Sequence, residues 1–252
     1  MSFHLHTSDN PHIPYSCYRY VPDGIDLDAK PPVVVFMHGV GERGSDPSAM
    51  LSSGLSHVID EVVKPPAVML FPQCRDVYRA YYGDMEKLVF AAIDDAVRDF
   101  NVDTTRISLL GYSMGSTSSL WLTARHPNRF AAIGAIAVGI NWEEPDLPPL
   151  LPEDKAQQDL FYNMYMTPPE QQGPFIAQAV QHVPIWFIHG TADEPCPISE
   201  PRLLDSELRK LGADVRLTEY EGVGHDSLIR GVQEPGLFSW LLAHRSRASR
   251  LI

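Results

Sequence analysis

Gly111-Tyr112-Ser113-Met114-Gly115 is the stretch on which the reading of this chain turns. An apolar, strand-like run precedes it (Ile107, Leu109, Leu110), and a helix-like run follows it (Leu120, Trp121, Leu122, Ala124). A strand that turns sharply into a helix holds the middle serine on a strained bend, its hydroxyl exposed at the end of a sheet. Glycines flank the serine because strand and helix pass too close there for side chains. The bare pattern is common and also fits an inert Gly/Ser turn. In its strand–turn–helix context Ser113 reads as a catalytic nucleophile.

Outward from that bend, short apolar runs recur. They are Pro32-Val33-Val34-Val35-Phe36-Met37, Ala67-Val68-Met69-Leu70-Phe71, residues 107–110, residues 131–138, Ile185-Trp186-Phe187-Ile188 and Val215-Arg216-Leu217-Thr218. Near-continuous apolar strands predict a parallel sheet covered on both faces. Residues 15–21 alternate instead and read as an earlier, half-exposed strand. Helical stretches lie between the strands. Asp84 is placed to cap one that carries Val89, Ile93, Ala96, Val97 and Phe100 on a single stripe. Another opens at Ser113 and stops near His126-Pro127. Residues 201–211 form a third, ended by Gly212, and residues 237–244 a closing one. Strands alternating with helices give a doubly wound, mostly parallel α/β sheet with helices on both faces. Ligands bind at the carboxyl ends of such strands.

The rhythm breaks at residues 141–184, which are rich in proline and in Glu143, Glu144, Asp146, Glu153 and Asp154. This insert also carries Trp142, Phe161, Tyr162, Met164 and Tyr165. It reads equally as a surface excursion with short helices or as a lid, because it enters just after a strand's carboxyl end.

The chain has 252 residues, 44% of them hydrophobic, which suits one large α/β domain over residues 1–252. No apolar run approaches the roughly 20 residues that span a bilayer. The first residues lack the basic start and apolar core of a signal peptide, so the expected location is cytoplasmic, or secreted if an upstream leader has been removed. A net charge of −12 argues against nucleic acid and anionic membranes as partners. Three unclustered cysteines, Cys17, Cys74 and Cys196, point to a reducing compartment without a disulfide framework.

A serine hydroxyl is a poor nucleophile until a base, a group that orients the base and donors for the oxyanion surround it. The expected chain order is serine, acid, histidine. Asp193 in His189-Gly190-Thr191-Ala192-Asp193 follows a strand and fits the acid, with Glu194 its near competitor. His225 in Gly222-Val223-Gly224-His225-Asp226 fits the base. Asp226 is assigned to capping the next turn, and His244 reads as a solvated surface histidine. The oxyanion hole needs two backbone N–H groups. One belongs to Met114. The other comes from the loop His38-Gly39-Val40-Gly41-Glu42-Arg43-Gly44, with Val40 the first choice and Gly39 the alternative. His38 is expected to fix that loop by hydrogen bonding. His4, His6 and His12 read as solvated residues of a mobile start, and no metal-ligand cluster stands out.

Together these motifs resemble an α/β-hydrolase serine esterase, close to polyhydroxybutyrate-depolymerase-like and feruloyl-esterase-like hydrolases and to related peptidases. Further segments carry the resemblance: Phe71-Pro72-Gln73-Cys74, Asp103-Thr104-Thr105-Arg106-Ile107, Pro127-Asn128-Arg129-Phe130 and Gly224-His225-Asp226-Ser227. It runs from about Pro32 to the C-terminus. It implies Ser113, Asp193 and His225 as the triad, and backbone amides near Val40 and at Met114 as the oxyanion hole. Three features depart from the family pattern: Ser116 in place of a second glycine, Cys196 before Pro197 in place of a small aliphatic residue, and a longer insert.

The expected activity is hydrolysis of small or aromatic carboxylic esters through an acyl-enzyme, with neither metal nor organic cofactor required. The expected partner is a small-molecule ester, on a monomer or homodimer. Substrate contacts are expected from Trp142, Tyr78, Tyr82, Tyr112 and Gly39, with Arg79 and Tyr81 in the same Tyr-rich loop. Two other readings compete: a serine peptidase, and a non-catalytic relative of the same fold that binds a ligand and would be expected to have a broken triad.

Overall fold

A computed structural model of the protein describes residues 2–10, 13–52, 54–75, 80–140, 159–160, 163–164 and 167–247. Eight strands form one sheet: β1 (Phe3–Thr7), β2 (Ser16–Tyr20), β3 (Val33–Met37), β4 (Val68–Pro72), β5 (Ile107–Tyr112), β6 (Ile133–Ile136), β7 (Ile185–Gly190) and β8 (Val215–Tyr220). Their order across the sheet is β1-β2-β4-β3-β5-β6-β7-β8. The β1–β2 and β2–β4 pairs are antiparallel, and every pair from β4 to β8 is parallel. This is the α/β-hydrolase arrangement.

Side chains alternate along each strand, so a strand buried on both sides feeds two cores. Val33, Val35, Met37, Leu109 and Phe187 face one core. It is covered by helices α3 (Asp84–Phe100), α4 (Met114–Arg125), α5 (Pro169–Val180) and α6 (Ser199–Lys210). Val34, Phe36, Leu110 and Ile188 face the other. Its cover is α1 (Ala49–Ser52), α2 (Leu55–His57) with the wider turn Val58–Val63 that continues it, α7 (Leu228–Val232) and α8 (Leu237–Ala243).

Several expectations need correction. The start of the chain is the edge strand β1, paired with β2 from Phe3↔Tyr20 to Thr7↔Ser16. His6 lies in it with Nε2 2.9 Å from Asp95 Oδ2, so the solvated-start reading fails for this residue. An edge strand's partners lie on one side only, so its composition carries little apolar signal. His12 lies outside the described residues. Asp84 does not cap α3. Gly83 is the N-cap, and Asp84 is the first helical residue, where its charge still suits the positive end of the helix. The strand expected over residues 131–138 shortens to Ile133–Ile136, because Ala137 turns to a φ of 52°. His244 is half-buried and packs edge-on to Trp240, 4.8 Å between ring centres, because the chain leaves α8 extended and folds the ring back. Cys17, Cys74 and Cys196 are all free thiols.

One buried carboxylate ties α3 to α4. Glu86 accepts from Trp121 Nε1 at 3.2 Å and from Arg125 Nε at 2.9 Å, and lies 2.8 Å from His126 Nε2. Burial pushes its pKa up, but the bonds and charges of His126 and Arg125 outweigh burial and hold it below the ordinary glutamate value. A depressed carboxylate contributes stability above its unfolded pKa, and that contribution is lost as pH falls through the folded value. Glu86→Ala is therefore expected to cost about 3 kcal/mol at neutral pH by removing the buried carboxylate that Trp121, Arg125 and His126 share. In denaturant titrations at a series of pH values, the gap from wild type should narrow below about pH 4.3.

Candidate functional site

Strand register assembles the site. Met37 pairs with Gly111, Tyr112 with Ile136, Ile136 with Ile188, and Gly190 with Tyr220. The loops that follow β3, β5, β6, β7 and β8 therefore leave the sheet along one rim, where ligands of such sheets bind.

Ser113 sits on the bend between β5 and α4 with φ 52° and ψ −118°, a left-handed conformation that L-residues adopt only under constraint. Two glycines make that bend possible. A Cβ on Gly111 would lie 2.5 Å from the Gly115 carbonyl and from Ser116 Cα. A Cβ on Gly115 would lie 1.9 Å from the Met37 carbonyl oxygen and 2.8 Å from that of His38. The Ser113 N–H donates to Ile136 O at 2.9 Å, and Ser116 Oγ donates to the same oxygen at 2.7 Å. Ser116, at the departure from the family pattern, thus helps to hold the bend.

The rest of the series converges on this serine. His225 Nε2 lies 2.9 Å from Ser113 Oγ, and His225 Nδ1 lies 2.9 Å from Asp193 Oδ2 and 3.0 Å from Oδ1. A carboxylate only accepts, so Nδ1 carries the hydrogen and Nε2 presents its lone pair to the serine hydroxyl. The Asp193 side chain is fully buried, while that of His225 is 26% exposed. The β8 loop reaches Asp193 because Gly190 has no side chain: a Cβ there would lie 2.1 Å from Val223 O. Glu194 is exposed, and it is Asp193 that meets the imidazole. Asp226 does not cap α7; Ser227 holds that position, with no side-chain cap.

Met114 is the first residue of α4, and Val40 is the first residue of a 3₁₀ turn, Val40–Glu42. The N–H groups of a first helical turn have no carbonyl of their own helix behind them. The close contact of Gly115 with the His38 backbone brings the two loops together. His38 fixes the β3 loop. Its Nε2 accepts from the Cys74 N–H at 2.9 Å, so its Nδ1–H donates to Gly39 O at 2.6 Å. Burial pushes the His38 pKa down to about 4, which keeps the ring neutral and the tautomer fixed. Gln73 Nε2 ties the same loop to Glu42 O and Asp46 O, both at 2.9 Å.

The expected substrate contacts fare unevenly. Trp142, Tyr78 and Arg79 lie outside the described residues. Tyr82 is 3% exposed and packs edge-on to Trp121, 5.1 Å between ring centres, so it belongs to the core rather than to a wall of the rim. Tyr81 is buried too: its hydroxyl donates to Pro72 O at 2.7 Å, and its ring meets that of His38. Tyr112 donates its hydroxyl to His225 O at 3.1 Å and lays its ring over Gly39, bracing the base loop against the β3 loop. Among the described residues, Asp193, Cys196 and His225 offer ligand atoms within 4.8 Å of one another. Both Asp193 oxygens are already engaged, by His225 and by the Cys196 N–H. Burial, then the charges of Asp193 and Glu200, push the Cys196 thiol up to about 12.

A model of the prolyl oligopeptidase family matches residues 78–238, well over half of the chain. The chain belongs to the prolyl oligopeptidase family. The matched stretch holds Ser113, Asp193 and His225. This prolyl oligopeptidase family member is 30% identical to Esterase YjfP of Escherichia coli (strain K12) over 115 residues, 45% of this chain and 46% of that protein. The match thus spans less than half of that relative's length. In fold it is similar to a thermostable esterase, with a TM-score of 0.73 and 24% identity over 97% of this chain and 63% of that one. It is also similar to a ferulic acid esterase, with a TM-score of 0.71 and 15% identity over 96% and 98% of the two chains. At these identities the two structures bear on the fold alone. Among the described residues, no helix is long and apolar enough to cross a membrane.

The glycine contacts are with backbone atoms, which cannot swing aside. Gly115→Ala is expected to destabilise the protein by at least about 3 kcal/mol. Denaturant unfolding would measure it, with Gly41→Ala, whose Cβ would meet nothing within 4 Å, as the control.

Proposed function

We propose that the protein is a serine hydrolase that cleaves small or aromatic carboxylic esters through an acyl-enzyme. The observation that carries this reading is the continuous hydrogen-bonded series from Ser113 Oγ through His225 to the buried Asp193 carboxylate. In the proposed reaction His225 Nε2 takes the Ser113 proton as Oγ attacks the ester carbonyl. Asp193 holds the ring in the required tautomer and balances the imidazolium charge. The amides of Met114 and Val40 receive the oxyanion. His225 then protonates the leaving alcohol. A water molecule, deprotonated by the same nitrogen, releases the acid and restores Ser113. The chain's own groups carry every proton in this sequence.

The match to Esterase YjfP supports an ester as the substrate. In sequence the insert at residues 141–184 follows β6; its stretch Pro169–Val180 is α5, which covers the core, and in this reading the remainder acts as the cap that selects the acyl or alcohol group. The net charge of −12 supports a small neutral substrate over a polyanion, on a monomer or homodimer. Membership of the prolyl oligopeptidase family favours a second reading, cleavage of a peptide bond by the same series.

Two substrate series separate these readings: p-nitrophenyl esters from acetate to decanoate, and p-nitroanilides of short peptides. Ester turnover far above anilide turnover is expected. Ser113→Ala should lower kcat by about 10⁴–10⁶ and abolish fluorophosphonate labelling. Unchanged ester turnover in that variant would remove Ser113 as the nucleophile. Anilide turnover that exceeds ester turnover would favour the peptidase.

A further inference from the structure

His189 sits in β7, one residue before the strand's end, and is fully buried. Its Nε2 lies 2.7 Å from the Cys196 carbonyl oxygen and 3.4 Å from Asp193 Oδ2. A carbonyl only accepts, so Nε2 carries the hydrogen and the ring's other nitrogen is bare. That nitrogen, Nδ1, is buried with no hydrogen-bond partner among the described residues. A leucine or phenylalanine in this strand would avoid burying a bare acceptor, so what histidine uniquely supplies here is the Nε2–H donor.

The donor's target is informative. The same Cys196 whose carbonyl accepts from His189 turns its own N–H onto Asp193 Oδ1 at 2.8 Å. The turn from Asp193 to Cys196 is therefore held at both ends. His189 pins the carbonyl of Cys196, and the N–H of Cys196 pins the carboxylate that His225 requires. Few other groups compete for this ring. Glu219 is its register partner on β8, and Asp193, Cys196 and His225 face it from the rim.

We propose that His189 is a positioning residue for the Asp193 carboxylate, acting through the backbone of Cys196. This rests on the triad reading given under Proposed function. It predicts a loss in turnover rather than in binding, because a carboxylate out of place misorients the imidazole without touching the substrate.

Three variants test it: His189→Leu, His189→Gln and His189→Asn. Glutamine can bring an amide N–H to the place of Nε2, whereas asparagine falls one bond short. In ester hydrolysis, His189→Leu and His189→Asn should lose about 10- to 100-fold in kcat, with KM within about twofold of wild type. His189→Gln should recover most of the loss. Should His189→Leu fail to fold, the comparison of glutamine with asparagine decides alone. Equal turnover in those two variants, or a loss carried by KM, would overturn the proposal. Ser113→Ala run alongside keeps the two readings apart: if it hydrolyses esters as fast as wild type, the triad assignment itself falls, whatever the His189 variants do.

Discussion

The contact between Gly115 and the end of β3 is the constraint from which the rest of the site follows. Its Cα rests against the backbone of Met37 and His38, with no room for a single methyl group. That approach sets the start of α4 against the β3 loop and forces the chain at Ser113 through a positive φ. A strained residue of this kind costs on the order of 1–3 kcal/mol and survives only where its surroundings over-determine it. Here the surroundings are specific. Ile136 O accepts from both the Ser113 N–H and the Ser116 hydroxyl, so the neighbouring strand holds the bend from below.

Helix α4 is built for that position. Every residue from Met114 to Thr123 is buried, so it has no polar face to offer solvent. Four successive hydroxyl residues run through its first half. Ser118 Oγ returns to Met114 O and Ser119 Oγ to Gly115 O, both at 2.8 Å, while Thr117 Oγ1 reaches Gly139 O. Small side chains that satisfy their own polar atoms let a helix press closely on a sheet without stranding a donor. Farther along, Trp121 and Arg125 meet the Glu86 carboxylate, and the helix is locked at its far end to α3. Closeness at one end and charge at the other leave the Ser113 bend little freedom to relax.

Polar groups beneath the rim hold the backbone of its loops. His38 fixes the β3 loop, Tyr112 braces the His225 loop, and His189 with Cys196 secures the Asp193 turn. These are neutral donors and acceptors in dry surroundings, where a hydrogen bond is strong and a misplaced one is costly. The burial that pushes the His38 ring to about 4 and the Cys196 thiol to about 12 keeps both uncharged near neutral pH. His225 and Asp193 form the hydrogen-bonded series that ends on Ser113.

Much of this was legible in the residues themselves. Runs such as Val33-Val34-Val35-Phe36 are apolar at every position, which only a strand covered on both faces tolerates, and their alternation with helical stretches declares the α/β class. The order Ser113, Asp193, His225 and the glycines around the bend are local features, readable because sterics act between near neighbours in the chain. Other features needed the fold. Strand β1 and the His6–Asp95 contact, Tyr82 turned into the core, Gly83 in place of Asp84 as the cap, and the ring of His189 on Cys196 all depend on partners set by register and packing. Periodicity along a chain records which face a residue shows, whereas the atom it meets there is decided by segments tens of residues away. The sequence therefore determined the architecture and the chemical character of the site by itself. Only the tertiary structure decided which backbone atoms hold each group in place, because those contacts are made between strands that are neighbours in space and not in sequence.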